Sequence, residues 1–372
     1  MPTIAVHCSI RNARGLGGFF MDAVTTPTTA GSGRAIEFTG TMRESLPIAA
    51  TNAVLTLVTL FVYRSWAKAR SRRYLWSHTR FIDDQLHWSG SGLEMFIGFV
   101  IVALMLGIIA LIFNFGLPAL ALRVGTFAAI AALIGLYLGG MFLYGLARFR
   151  GLRYRLSRTW WRGIRGGSDY GGWSYGVKAI GYYLATFFAA GLFYPWAQSK
   201  LWNERWNKMS FGPHEFEANM TSDDTRGAYF MLWAALVIGS VILGAVSVAV
   251  GGQPGGPNPL VLVVFYAAIG LAYLNFLTAY YQAAAEWTRI GDIEFRFTAG
   301  YGDWLKFYAA TVGLAIVTLG LAMLVYDFRK WRFIAEHLEA YGSVDVDSLT
   351  QSRTSAPREA EGILEALDIG AF

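Results

Sequence analysis

The chain has 372 residues, of which 55% are hydrophobic and only 15% are charged, whereas a typical soluble domain has about 25% charged residues. The apolar residues form long blocks, a pattern that predicts a helical membrane protein with several spans and excludes an ordinary soluble domain. The net charge of +6 comes from basic clusters beside those blocks, which indicates contact with lipid head groups and not with nucleic acid.

The first part of the chain combines a tail, a polar-striped helix and a spanning hairpin. Residues 1–35 are rich in Gly, Thr and Ser and contain no long apolar segment, so we expect a flexible N-terminal tail. An apolar helix is predicted from Ser45 to Tyr63, followed by a basic segment and by an extended stretch from Phe81 to Trp88. Residues 93–147 contain two apolar segments, each long enough to cross a hydrocarbon core of about 30 Å.

The rest of the chain contains two further apolar helices, a second pair of long apolar segments and an acidic tail. A second apolar helix is predicted from Tyr175 to Tyr194 and a third from Trp304 to Tyr326, each followed by a basic flank. Residues 228–285 contain two further apolar segments around a loop without charge, which predicts a second spanning hairpin. An extended stretch is predicted from Trp287 to Phe297. Residues 341–372 are acidic with little apolar content, so we expect a tail.

The three apolar helices align with one another at spacings of about 130 residues. Setting Trp66, Trp196 and Val325 as equivalent brings similar residues into register along the helix that precedes each of them. The sequence therefore predicts an all-α membrane domain over residues 36–340 with three internal repeats, each a polar-striped helix followed by a basic segment. The repeats cover about residues 36–92, 167–227 and 294–340.

Seven apolar blocks are compatible with two topologies. If all seven span the membrane, the loop without charge lies on the same face as the arginine-rich segment from Arg148 to Arg165, although cytoplasmic segments should hold the excess of Lys and Arg. If the three repeat helices enter and leave on one face, four spans remain and every basic flank is cytoplasmic. The second topology fits the charges better, and it requires the re-entrant backbone to be buried in protein or to line a wet cavity.

One face of each repeat helix carries polar side chains. Polar groups in a bilayer are costly and often functional, so one hypothesis is that these faces meet around a polar path or a ligand site. The alternative is that Thr hydroxyls bond to their own helix and that Asn52 bonds to a neighbouring helix. The candidates are Asn52, Thr56, Thr59, Lys178, Tyr182, Thr186, Tyr308, Thr311 and Thr318.

A tryptophan precedes basic residues after the first and second repeat helices. This residue order is typical of a membrane interface, so anchoring is the first interpretation. Recognition of an anionic lipid head group is the alternative. The candidates are Trp66, Lys68, Arg70, Arg72, Arg73, Trp196 and Lys200.

The chain contains no pattern typical of a catalytic or cofactor site. The five histidines are scattered, and the single cysteine, Cys8, excludes an internal disulfide framework and a multi-cysteine metal site. The glycine pairs lack the spacing and the Lys-Ser/Thr ending of a phosphate loop. We therefore expect no metal, no cofactor and no enzymatic activity.

Short motifs occur in a fixed order along the chain. They are Phe38-Thr39-Gly40, Tyr63-Arg64-Ser65-Trp66-Ala67-Lys68, Trp88-Ser89-Gly90-Ser91-Gly92 and Tyr194-Pro195-Trp196-Ala197. Together they resemble the YjgN-like family of bacterial inner-membrane proteins of unknown function, over about residues 36–350. The third repeat departs from the motif, with Leu324-Val325-Tyr326 in place of Pro-Trp-Ala. The resemblance implies an inner-membrane location and a helical architecture, but it implies no activity and no functional residues.

These observations lead to one functional hypothesis and its alternatives. We expect an inner-membrane protein with cytoplasmic basic flanks that passes or binds a small solute or a lipid through the polar faces. The first alternative is a non-transporting scaffold or a component that binds anionic lipids, and a membrane enzyme is the third possibility. The expected partners are membrane lipids and a small solute, with no nucleic acid, and the sequence leaves the oligomeric state open.

Overall fold

The computed structural model describes residues 4–5, 35–249, 259–344, 350–352 and 354. Most of the predicted N-terminal tail, nearly all of the loop without charge and most of the acidic tail lie outside the described residues.

Helices occupy most of the described chain. They are α1 (Met42–Val58), α2 (Arg64–Ser77), α3 (Gly92–Leu111), α4 (Leu117–Arg123), α5 (Thr126–Arg158), α6 (Trp173–Phe188), α7 (Tyr194–Trp206), α8 (Asp223–Ala249), α9 (Pro259–Glu286), α10 (Tyr301–Val317) and α11 (Tyr326–His337). A π-helical turn (Ile112–Gly116) joins α3 to α4, and a 3₁₀ turn (Leu321–Val325) precedes α11.

Short strands lie between the helices. They are β1 (Ile4–Ala5), β2 (Ile36–Phe38), β3 (Thr79–Phe81), β4 (Asp84–Gln85), β5 (His87–Trp88), β6 (Thr159–Trp161), β7 (Ile164–Gly167), β8 (Ser210–Phe211), β9 (His214–Ala218), β10 (Thr288–Ile290), β11 (Ile293–Phe297), β12 (Leu338–Tyr341) and β13 (Ser343–Val344).

The prediction of an all-α fold is wrong, because β5 to β12 form one antiparallel sheet in chain order. A second sheet contains β2, β3 and β4, and β1 pairs with β13. Some neighbouring strands, such as β6 and β7, are joined by a tight turn. In this two-residue turn Arg162 and Gly163 have φ of 50° and 74°, which follows the twist of the strands. Strands this short show little alternation of polar and apolar residues. Their basic side chains also resemble the basic segments that were predicted to flank the helices.

Four helical stretches of the described chain are long and apolar enough to cross a membrane. They are Gly92–Arg123, Thr126–Arg158, Asp223–Val248 and Pro259–Glu286. They coincide with the two hairpins predicted from the sequence, so the apolar blocks did locate the candidate spans.

The strands hold the helices in pairs. In the described chain the pairs are α1–α2, α3–α5, α6–α7, α8–α9 and α10–α11, and the strand before each pair hydrogen-bonds to the strand after it. In α1–α2 the N–H of Thr39, after the first strand, also donates to the carbonyl of His78, before the second strand, at 2.9 Å. The corresponding bond joins Thr298 to His337 at 2.8 Å. The strands therefore join the two ends of each helix pair.

The three short pairs, α1–α2, α6–α7 and α10–α11, close through the same turn. The N–H groups of Phe61, Gly191 and Gly320 donate to carbonyls five residues earlier, at 2.7, 2.8 and 2.7 Å. In each turn that residue and the one before it have positive φ. These turns end the apolar helices at Val58, Phe188 and Val317, before the ends predicted from the sequence, and each basic segment then forms a helix of its own.

The three turns occupy positions that the sequence alignment makes equivalent. The carbonyls that accept these bonds belong to Thr56, Thr186 and Ala315, which lie ten residues before Trp66, Trp196 and Val325. The backbone therefore follows the alignment in this segment, while an origin by internal duplication stays a prediction.

Neighbouring pairs pack against one another in chain order. α2 contacts α3, α5 contacts α6, α7 contacts α8, and α9 contacts α10. The first and last pairs also meet, because α1 contacts the 3₁₀ turn before α11, and β2 packs against α11 and β12 around Ile36 and Ala340. α5 packs closely on α6 at Gly145, where an added Cβ atom would lie 2.7 Å from the side chain of Ala179.

Candidate functional site

The threonines of the predicted polar faces bond to their own helices. The Thr56 hydroxyl donates to the carbonyl of Asn52 at 2.6 Å, and the Thr311 hydroxyl donates to that of Phe307 at 2.7 Å. The hydroxyls of Thr59, Thr186 and Thr318 also donate to carbonyls four residues earlier. This bonding satisfies a hydroxyl in apolar surroundings without help from another helix.

The other candidates of the polar faces make contacts within their own helix pair. Asn52 donates from Nδ2 to the carbonyl of Ala67, on α2, at 3.1 Å. Lys178, on α6, forms an ion pair with Glu204, on α7, at 2.9 Å. Tyr182 meets Trp196 edge to face, and Tyr308 stacks on Trp304. A polar path shared by the three faces stays a prediction.

The tryptophan and basic candidates fall into two groups. Trp66 packs on Phe96 of α3, with ring centroids 5.1 Å apart, and the buried Arg72 lies over the Trp88 ring at 5.2 Å. A second group lies at the surface, where Lys200 sits over the Trp196 ring at 5.9 Å. Arg70 and Arg73 are also exposed, while Lys68 is half-buried. The exposed group is free to meet a head group, while Trp66 and Arg72 act in packing.

A different site lies where the pair α6–α7 packs between its two long neighbours. Its centre is Arg205, near the end of α7. One face of α7 carries Leu201, Trp202, Arg205 and Trp206 at helical spacing and is buried, so the helix takes the arginine into the core with its apolar neighbours. The Arg205 side chain is 2% exposed, and its guanidinium lies 5.3 Å from the centre of the Trp202 ring.

Arg205 has unused hydrogen-bonding capacity. Neither Nε nor Nη1 has a hydrogen-bond partner in the described part of the chain. The Arg205 guanidinium forms no ion pair with a described carboxylate, and neither does the guanidinium of Arg148, on α5. Burial, and then the positive charge of Arg148, lower the pKa of Arg205 from its usual value. A buried cation without a counter-charge is costly, and it makes a bound anion favourable.

Tyrosines surround the two arginines. The positive charge of Arg148 acts on the hydroxyl of Tyr183, on α6, which has no hydrogen-bond partner among the described residues, and the rings of Tyr183 and Tyr144 are 5.9 Å apart. Tyr175, on α6, is 1% exposed, and the buried hydroxyl of Tyr280, on α9, has no hydrogen-bond partner among the described residues. The cluster thus presents guanidinium and phenol donors, the groups that bind an oxyanion. We call this set of residues the arginine–tyrosine cluster.

An apolar cleft of about 520 Å³ begins beside the cluster. It lies between α3 and α5, and it is lined by Ile109, Phe113, Leu133, Leu136, Tyr137, Gly140, Met141, Tyr144 and Tyr183. The α5 residues recur at intervals of three and four, so they form one helical face, and the next turn of that face carries Arg148. Along this face of α5, apolar side chains are therefore followed by a tyrosine and then by a cation.

The sequence analysis treated Arg148 and Arg205 only as members of basic flanks. Two signals were available, since Arg205 interrupts an apolar face of its helix and Arg148 continues the face that carries Tyr144. Neither signal shows burial, which depends on how α5, α7 and α9 pack. Among the described residues no group of His, Cys, Asp or Glu is arranged to hold a metal ion.

Comparison with known proteins identifies the family. The chain matches the family described as bacterial protein of unknown function (DUF898) over residues 34–366, and it therefore belongs to that family. The match confirms the expected membership in a bacterial family of unknown function. No curated protein and no solved structure matches the chain.

Proposed function

We propose that this chain is a multi-pass protein of the bacterial inner membrane that binds a small anionic solute or lipid among its helices. The observation that carries the proposal is the arginine–tyrosine cluster, in which Arg205 is almost fully buried and two of its donor atoms have no partner among the described residues. A side chain of this kind is expensive to bury and is typical of a site that receives a ligand. Passage of the ligand across the membrane is the extended form of the same proposal.

The proposed topology has four spans and three re-entrant pairs, with all basic flanks in the cytoplasm. The tips of the short pairs support it, because Leu60, Phe188 and Leu319 are 82%, 81% and 94% exposed, as expected of residues that face lipid. The turns at these tips satisfy backbone groups by internal hydrogen bonds, which apolar surroundings require. We further propose that the three short pairs arose by internal duplication.

Reporter fusions test this topology. Fusions placed after Tyr74, Trp161, Trp206 and Arg332 should all report a cytoplasmic position, while a fusion within residues 251–258 should report the opposite face. Seven alternating spans predict instead that the fusion after Trp206 lies on the face opposite the other three, and that a fusion within residues 251–258 lies on the same face as those three. That result would require the re-entrant arrangement to be abandoned.

A binding experiment tests the function itself. Protein purified in a neutral detergent should retain an anionic small molecule or lipid, detected by mass spectrometry at a ratio near one per chain. Arg205→Gln should retain less of it, and the control Arg226→Gln, which removes a surface arginine on α8 with the same change of charge, should retain as much as the wild type. Equal retention by all three proteins would contradict binding at the cluster.

A second candidate function is a non-transporting scaffold that grips anionic lipids at the membrane surface. The exposure of Arg70, Arg73 and Lys200 favours it, since such side chains meet head groups without desolvation. This function predicts that neutralising the three residues weakens binding to vesicles containing phosphatidylglycerol while membrane insertion is kept. Loss of insertion in the same proportion would assign these residues to topology alone.

A further inference from the structure

The apolar cleft and the arginine–tyrosine cluster form one continuous surface along α5. Leu133 and Tyr144 are eleven residues apart on the same helical face, a distance of about 16 Å at 1.5 Å per residue. Arg148 follows Tyr144 one turn later on the same face. A ligand lying on this face meets apolar side chains along most of its length and cations at one end.

We propose that the site takes an anionic amphiphile, with its phosphate or carboxylate head group at Arg148 and Arg205 and its hydrocarbon chain in the cleft. This inference rests on the proposed function and names the ligand class. Guanidinium groups fit the oxygens of phosphate and carboxylate with paired hydrogen bonds. The donors for such a head group are Nε and Nη1 of Arg205 and the hydroxyl of Tyr280, which have no hydrogen-bond partner in the described part of the chain.

The lining of the cleft argues for a chain and against a free anion alone. Its residues are aliphatic or aromatic apart from Gly140, and the polar atoms at its end are those of Tyr144 and Tyr183. A free inorganic anion uses the arginines but leaves the apolar face of α5 without a partner. An amphiphile covers both, and about 520 Å³ is within the range of small-molecule pockets.

Two neighbouring glycines on α5 provide a matched test of the chain. Gly140 lines the cleft and Gly139 does not, and a Cβ atom added at either position would meet nothing within 4 Å. Both are helical, so replacing either one removes the conformational cost of glycine and should not unfold the protein. Gly140→Phe places a ring in the cleft, while Gly139→Phe places the same ring about 100° around the helix.

The experiment is a calorimetric titration of purified full-length protein in a neutral detergent at fixed concentration, with octyl phosphate, inorganic phosphate and octanol as ligands. Wild-type protein should bind octyl phosphate at least about tenfold more tightly than either of the others. Arg205→Gln should weaken octyl phosphate binding by about tenfold or more, the factor expected for a charge-assisted hydrogen bond. Gly140→Phe should remove the advantage of octyl phosphate over inorganic phosphate, and Gly139→Phe should keep it.

The other outcomes separate this inference from the proposed function. Equal affinity for octyl phosphate and inorganic phosphate, lost together in Arg205→Gln, would show a free-anion site, which overturns the amphiphile and leaves the proposed function intact. Octyl phosphate binding that survives Arg205→Gln would place the head group elsewhere and overturn the inference. If wild-type protein binds none of the three ligands and also retains no molecule on purification, both the inference and the proposed function fail.

Discussion

Replacing Arg205 by methionine should stabilise the protein while it removes ligand binding. Methionine is flexible and apolar, so it fills much of the space between Trp202 and Tyr175 without bringing a charge or a donor. The change gives up the contact of the guanidinium with the Trp202 ring, worth about 0.5–2 kcal/mol. It also removes two buried donors that have no partner among the described residues, and each such donor costs about 1–3 kcal/mol. We therefore expect the free energy of unfolding to rise by about 1–3 kcal/mol.

The measurement is denaturant unfolding of ligand-free protein in a neutral detergent, compared with a control at an arginine that forms an ion pair. Arg158 donates from Nη2 to Oε1 of Glu94 at 2.9 Å, and the two side chains are 19% and 17% exposed. Arg158→Met leaves that carboxylate with only the hydroxyl of Tyr154 as a described partner, so it should lower the free energy of unfolding by about 1–3 kcal/mol. If Arg205→Met lowers it as well, the Arg205 guanidinium is a structural group and the reasoning for a ligand site is wrong.

Two further predictions concern an ion pair and a turn. Burial alone would raise the pKa of Glu204, but the ammonium groups of Lys208 and Lys178 outweigh it and hold that pKa below its usual value. The stability that Glu204 contributes should therefore be complete above the ordinary carboxyl pKa of about 4.3 and vanish as the pH falls through the lower folded value, so Glu204→Gln should destabilise the protein at pH 7 and equal the wild type in strong acid. Gly320→Ala should cost about 1–2 kcal/mol because φ is +89° there, and Gly313→Ala, at an open helical position, should gain about 0.5–1 kcal/mol, as read by the same unfolding assay.

The four candidate spans could be predicted from composition, because an apolar block of that length is typical of a membrane span. The strands could not, since β8 contains only Ser210 and Phe211 and one of its two partners, β7, lies on the other side of α6 and α7 in the sequence. The turns of the short pairs were predictable only in part. Gly191 and Gly320 were visible signals of positive φ, but the first turn uses Leu60 and Phe61, which carry no such signal.

The site could not be predicted because its residues are ordinary in sequence. Arg148 is one of seven arginines between Arg148 and Arg165, and its place on the face that carries Tyr144 is a weak signal in such a run. The packing of α5 on α6 gives it its significance, because it brings the charge of Arg148 to the tyrosines of α6. The hydroxyls of the predicted polar threonines are satisfied within one turn of their own helices, and a polar path that they line stays a prediction.

The position of the cluster follows from the order of the helix pairs. The pair α6–α7 contacts a long pair on each side, through α5 and through α8, whereas α1–α2 and α10–α11 each contact one long pair and one another. A short pair ends before its long neighbours do, so the faces of the long helices that continue past its tip have no helix from that pair to cover them. Beside α6 this face belongs to α5, which is apolar in the cleft up to Tyr144, and the next turn of α5 carries Arg148. The frame that joins a short pair at the strands therefore leaves, next to its tip, an apolar surface on the neighbouring long helix that ends one helical turn before a cation.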